Sequence, residues 1–592
     1  MFSLFSLNLL VMKKIFLLAA AMFVTSLSVN AEKRTKSQIL SAAAEVLQEK
    51  CPMTSSMNKA GAKLQILDNS KSQLSIVGYE NGAYVIVAND DAMPAILGYS
   101  DADVSFDADN LPPAFKWYLE IANRNIEERL VNGQAPMPIT INPNYKPEVP
   151  MMCQTKWGQG YPFNDQTPVY NGGTHYVTGC VATAMAQAMN YYKYPDTGRG
   201  KITFYVTSDD GQEKVKVGFD DEPYDWNNML DVYEQYKFNS DNTYAVSYLM
   251  KHTGASVMMN YAPGGSGAYT SDAAFAFNAY FKYDPSVDCY RKDLMHEEEW
   301  FDLVYHNLSD GHPLVFGASS SIGGQDAGHS FVVDGYDTKG LVHVNFGWEG
   351  EADGFYQLLD MHGYDHGFDM IPLKKPSDDL KIKSFWGLWS RSVVYNKNTG
   401  VFDADIINGS ARDFTGKIFV MLKNLADGTE QIIGYESYKD EGLIVDGNRY
   451  NVKNFKVQAP LPEDLPDGQY RLYLASKGAW WVKDDPTSKR EEPKLLEEAV
   501  AQPIHAHEAL SNSYIITVEG GSVKAEKELN SNWVLGIDDV ICKNFTSDIV
   551  KVYDVQGRMI YTAKANDFRI ADVPADGVLI IKNGSDVRKV IK

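Results

Sequence analysis

The sequence predicts a multidomain α+β protein, with mixed helix–strand units up to about residue 375 and all-β units after it. Three observations carry that expectation. The 592 residues exceed what one hydrophobic core supports, at ~150 residues per domain. Helical and strand periodicities mingle at first, then give way to short alternating segments cut by turns. Gly133 to Pro150 is proline-rich and aperiodic, which reads as an exposed linker between units. A hydrophobic fraction of 44% with 12% aromatic residues is enough for packed cores.

In chain order, residues 1–31 read as an export signal. Met12-Lys13-Lys14 is the positive start, Ile15 to Val24 the apolar run, and Val29-Asn30-Ala31 a small-residue cleavage site. Met12 is a better initiator than Met1. The run is short of the ~20 residues that cross a bilayer, so no stable membrane span is expected; a retained anchor is the competing reading. Residues 32–146 form an α+β unit. Helices are expected over Lys36 to Glu49 and Leu111 to Leu130, with strands Leu74 to Val77 and Ala83 to Val87 around Asn81-Gly82.

Residues 147–375 are the richest in Gly, Trp and Tyr. Gly179 to Tyr192 is uncharged, spaces Ala184 with Ala188 and Val181 with Met185 and Met189, and ends before Pro195, which predicts a buried helix. Helices at Thr243 to Lys251 and Glu297 to Leu308 follow, separated by the glycine-rich loop Pro263 to Ala268. Strands His329 to Gly335 and Leu341 to Phe346 are joined by the short turn Asp337 to Gly340. Residues 376–514 read as an all-β sandwich, with strands such as Lys417 to Leu422 and Tyr470 to Ala475 and an acidic surface loop at Asp484 to Glu498. Residues 515–592 read as a last β-unit, with strands at Val550 to Val555, Met559 to Ala563 and Gly577 to Lys582.

The 77 acidic against 55 basic residues argue against a nucleic-acid binder, which needs a basic face. Five scattered cysteines (51, 153, 180, 289, 542) are too few for a disulfide scaffold and form no CxxC pair, so neither a metal nor a cofactor is expected. Whether Cys153 and Cys289 pair stays open.

Cys180 falls in the first turn of its helix. Unpaired backbone N–H groups and the helix dipole favour a thiolate there, the form that attacks carbonyls. The alternative is a small buried hydrophobe. A nucleophilic thiol needs a base, a group orienting that base, and oxyanion donors. Among 11 histidines, His329 stands at the mouth of an apolar strand, 149 positions after Cys180, the range of such thiol–histidine pairs (~130–150); a structural histidine is the alternative. Asn345 can approach His329 across the hairpin and fix its tautomer, with Trp348 shielding that bond, while Asp334 and Asp337 are rival orienters. Gln159, between glycines, is a candidate oxyanion donor, with Gln154 the alternative.

The Gln159-to-Asn164 stretch, GCVATAMAQAMNYYKYP, AGHSFVVDGYD and HVNFGWEG closely resemble streptopain-type bacterial cysteine proteases in order and spacing. That resemblance covers residues 151–375 and implies a papain-like fold, a helical half carrying Cys180 and a β half carrying His329. It implies Cys180 as nucleophile, His329 as base and acid, Gln159 as oxyanion donor, and Asn345 and Trp348 as support for the histidine. Phe346 departs from streptopain, which has Trp there. The loop residues Gly265, Ser266, Gly267 and Ala268 fall where the family builds its substrate pocket, which implies an apolar preference just before the scissile residue. The Gly82-to-Asp91 and Pro94-to-Ser100 segments resemble the family's inhibitory propeptide, making the N-terminal unit an intramolecular inhibitor. The final unit resembles the sorting domains of Bacteroidetes secreted proteins, which implies a type IX route to the surface or medium. The expectation is a secreted cysteine endopeptidase made as a zymogen and acting on protein or peptide substrates. An acyltransferase or transglutaminase on the same site, or a binding protein with a decayed protease domain, are the other readings.

Overall fold

A computed structural model describes residues 32–51, 63–80, 82–100, 106–132, 141–170, 172–208, 211–284, 287–292, 297–322, 325–357, 366–376, 388–408, 413–438, 453–482, 494–497, 502–503, 505–506, 513–528, 549–553, 559–564, 578–583 and 586–591. The expected export signal, Asn81, most of the loop after Asp484 and Cys542 lie outside them. Two units emerge: residues 1–138 with 352–363, and residues 139–351 with 364–592.

In the first unit, Thr35 and Gln38 close a capping box that starts helix Lys36–Lys50. Ile39, Ala43, Val46 and Leu47 recur at helical spacing and are buried. An antiparallel sheet runs Gln65–Asp68, Leu74–Gly78, Tyr84–Ala88, Ile96–Ser100 and then Gly354–Tyr356, a strand from far along the chain. That last strand is built in by aromatic rings. Phe355 stacks on Tyr99 at 5.2 Å, and Tyr356 lies 5.1 Å from Tyr118 and 5.6 Å from Phe115. Helix Pro113–Asn132 supplies the latter two. Gly98 leaves room for this: a Cβ there would fall within 2.8 Å of the Phe355 carbonyl.

The second unit is organised on helix Cys180–Tyr192, whose residues from Val181 to Asn190 are all buried. Helices Ser240–Ser256 and Thr270–Ala279 share its core, with Val315, Val332 and Ile371 from a sheet. That sheet is antiparallel, in the order Val342–Asn345, Gln325–Tyr336, Leu314–Ile322, His366–Pro372, Tyr290–Arg291. The expected hairpin forms where expected, because Asp337 Oδ1 accepts from the Lys339 and Leu341 amides and closes the turn. Two features differ from the sequence reading. The end of the presumed exposed linker is docked: Val149 pairs with Tyr336, and Met152 N donates to Asp334 O at 3.1 Å. A hairpin not anticipated, Lys201–Ser208 with Gly211–Gly218, flanks the helical core.

Beyond residue 376, two sheets share an apolar core. One contains Leu388–Asn396, Val401–Asn408 and Lys453–Gln458. The other contains Asp413–Asn424, Glu430–Tyr438, Gly468–Val482, Ser513–Glu519 and Ser522–Lys527. The expected boundary at 514/515 therefore cuts a strand: Ser513–Glu519 pairs with Gly468–Val482 and belongs to the preceding sheet. A separate four-stranded sheet runs Met559–Lys564, Ile549–Tyr553, Val578–Asn583, Asp586–Ile591. Among the described residues no helix is long and apolar enough to cross a membrane.

Candidate active site

Gly179 precedes the central helix with φ 85°, a conformation glycine adopts freely. A Cβ there would also meet Met259 Sδ at 2.6 Å and the Ser266 carbonyl oxygen at 3.0 Å. Glycine thus allows the chain to enter the helix with Cys180 in its first turn and the loop at Ser266 beside it. Cys180 is partly exposed, whereas Cys51, Cys153 and Cys289 are buried; none of the four forms a disulfide, so Cys153 and Cys289 do not pair. The His329 imidazole, on strand Gln325–Tyr336, lies close enough to the Cys180 thiol to act on its ionisation. Burial alone raises the thiol pKa, but the neighbouring His329 imidazole and the Ser330 and Val181 amides outweigh it and hold the thiol below its ordinary range. The two residues named from sequence as nucleophile and base are thereby brought together.

The orienting group is not the expected one. His329 Nε2 lies 2.8 Å from the Phe346 carbonyl oxygen. The hairpin register pairs Asn345 with Val332, three residues past His329, and its amide bonds elsewhere. Asn345 Nδ2 instead donates to Thr155 O (2.7 Å), and its Oδ1 accepts from Gln187 Nε2 (2.9 Å) and Gly347 N (3.0 Å). The same register carried onward sets Trp348 beside His329, and the rings stack at 5.9 Å and 20°. Both aspartates named as rivals are occupied elsewhere. Asp334 is fully buried and bonds His343 Nδ1 (2.5 Å) and the Cys153 amide (2.6 Å), while Asp337 closes the turn. Burial first, then Asp334, pushes the Cys153 thiol well above its ordinary range, an inert environment.

Gln159 is buried, and its carbonyl accepts from Thr178 N (3.1 Å) just before Gly179. Gln154 is exposed and bonds back to the Met151 carbonyl (3.2 Å), away from that turn. The Gly265–Ala268 loop is tied by two backbone bonds between Asn260 and Gly267 (2.9 and 3.1 Å). Gly265, at φ 147°, and Gly267 have open space where a side chain would stand, and Ala268 packs on the helical core.

Two contributors escaped the sequence reading. Gln187, two turns along the helix from Cys180, accepts from Thr155 Oγ1 (3.0 Å) and Trp157 N (3.2 Å) while donating to Asn345. A lone glutamine amid Ala and Met was its signal. The Phe346 carbonyl had none, being backbone.

With this geometry in view, the profile of the Peptidase C10 family matches residues 157–356 and that of the Spi protease inhibitor matches residues 31–126. Streptopain of Streptococcus pyogenes serotype M28 is 31% identical over 309 residues, 49% of this chain and 74% of its own length. The chain belongs to the Peptidase C10 family. This C10 peptidase is a cysteine-type endopeptidase with an inhibitor domain ahead of its peptidase domain, the order of a zymogen. It is also 30% identical to the thiol protease/hemagglutinin PrtT of Porphyromonas gingivalis, over 47% of this chain and 33% of that one. Among solved structures, a fragment of Prevotella intermedia prointerpain A is 33% identical, covering 53% of this chain and 99% of that chain at a TM-score of 0.48. Active interpain A is 38% identical, covering 39% and 98% at a TM-score of 0.36.

Proposed function

We propose that this endopeptidase works through a Cys180 thiolate and a His329 imidazolium. The carrying observation is the His329 imidazole beside Cys180 at the start of a helix, on a thiol held below its ordinary pKa. The thiolate attacks the peptide carbonyl, and the Gln159 amide and the Cys180 backbone N–H hold the oxyanion. His329 passes its proton to the leaving amine, and water then releases the acyl-enzyme. Trp348 covers the imidazole and excludes water from its bond to Phe346. Asn345 and Gln187 act one step removed, by bracing the Phe346–Gly347 turn and the Thr155–Trp157 segment.

The Ser266–Ala268 loop beside Gly179 receives the acyl half of the substrate and favours an apolar residue just before the scissile one. The N-terminal unit silences the enzyme as its own propeptide. The export-signal pattern of residues 1–31 supports secretion, and the terminal sheet supports a type IX sorting domain after an Ig-like sandwich. A carboxylate-oriented, transglutaminase-like site finds no support, since Asp334 serves His343.

The test is the full chain against its Cys180→Ala form, followed by self-processing, casein hydrolysis and labelling with a thiol-directed peptide electrophile. Loss of hydrolysis and label in the variant is expected. Hydrolysis that survives in the variant overturns the reading.

A further inference from the structure

Glu349 follows Trp348 and is used by nothing in the mechanism above. Its backbone sits in the left-handed region (φ 57°), and its N–H donates to the Trp157 carbonyl at 3.3 Å. Trp157 is itself pinned, fully buried with Nε1 donating to Leu230 O at 2.8 Å. The Glu349 side chain therefore lies over Gly158, where a Cβ would meet its Cγ at 2.6 Å and Oε1 at 2.9 Å. Glycine at 158 leaves the space this carboxylate fills, next to Gln159. The nearby Lys156 runs its stem under Gly350, and among the described residues no basic side chain forms an ion pair with Glu349. Burial, and then Glu351, hold the Glu349 carboxyl above its usual range, so an arriving cation is the partner that favours its ionised form.

The chemistry of the site says which part of a substrate meets it. The leaving amine takes its proton from His329, so the departing half of the substrate lies on the imidazole side of the sulfur. Trp348 is stacked on that imidazole, and Glu349 is the next residue. We infer that Glu349 is a specificity residue for the leaving half of the substrate, favouring lysine or arginine one or two positions after the scissile bond. This rests on the Cys180–His329 reading of the site.

The full chain, allowed to process itself, is assayed on three internally quenched peptides. They are identical except for Lys, Gln or Glu at both positions after the scissile bond. An exposed ion pair corresponds to about a fivefold effect, so the Lys peptide is expected to exceed the Gln peptide in kcat/KM by about that factor and the Glu peptide to fall below it. Glu349→Gln is expected to level the three, and Glu349→Lys to reverse their order. Because the readout is a ratio within each enzyme, a partly folded variant lowers all three rates together and leaves the ratios readable. A Lys-to-Glu ratio equal in wild type and both variants overturns the inference. Cleavage of the peptides by Cys180→Ala would instead overturn the underlying site assignment.

Discussion

His329 Nε2 lies 2.8 Å from the carbonyl oxygen of Phe346, so a backbone group aligns the imidazole. Asn345→Ala should consequently act on the scaffold. It removes the acceptor for Gln187 and Gly347, and leaving such buried groups unpaired costs about 1–3 kcal/mol. The expected result is a lower Tm with the pH midpoint of Cys180 alkylation in place. A midpoint moved as far as that of His329→Ala would mean that the amide orients the imidazole after all.

His329→Ala should push reactivity of Cys180 to higher pH. The imidazole that lowers the thiol pKa disappears, while burial, which raises it, stays. Iodoacetamide labelling rate against pH reads this directly. An unchanged profile would assign the lowered pKa to the helix terminus and the Ser330 and Val181 amides alone.

For Gln159→Ala, the expected loss is ~10²–10³ in kcat with little change in KM, the signature of a donor that serves the transition state. Gln154→Ala is the matched control, because its amide is spent on Met151. A rise in KM at constant kcat would make Gln159 a ground-state contact.

Acid should destabilise the second unit through His252. This ring is buried against Tyr248 at 4.2 Å, with Nδ1 2.8 Å from Tyr224 Oη. Burial first, then Lys251, lowers its pKa from 6.5 to about 3. The unfolded chain binds the proton near pH 6.5 and the folded one refuses it until about pH 3. Stability is therefore full above 6.5 and falls as pH drops through that window. His312, lowered to about 4 chiefly by burial, adds in the same direction. Urea midpoints at pH 7.5 and 4.5 should differ less in His252→Gln than in the parent. Equal differences would remove His252 from the account.

Much of this site could be read in the sequence because its main parts are periodic or punctuated. The Ala/Met spacing announced the helix of Cys180, and Asp337 to Gly340 announced the hairpin that carries His329. What escaped was relational. Asn345 and Asp334 are plausible orienters by residue type, and only the strand register decides that one faces Thr155 and Gln187 while the other is claimed by His343. The Phe346 carbonyl is chemically identical to every other carbonyl in the chain, so no residue choice marks it. Pro143 and Pro147 lie in an irregular stretch, but the pairing of Val149 to Tyr336 is a long-range event that local composition does not encode.

The N-terminal unit is assembled from two stretches of polypeptide, its last strand, Gly354–Tyr356, entering some 220 residues after helix Pro113–Asn132. Severing the backbone after Asn132 therefore leaves that sheet intact, and parting the fragments means unzipping a β-ladder with Tyr356 lodged among Tyr84, Phe115 and Tyr118. Release then becomes a bimolecular equilibrium, set by dilution and by destruction of the freed piece as much as by the cut itself.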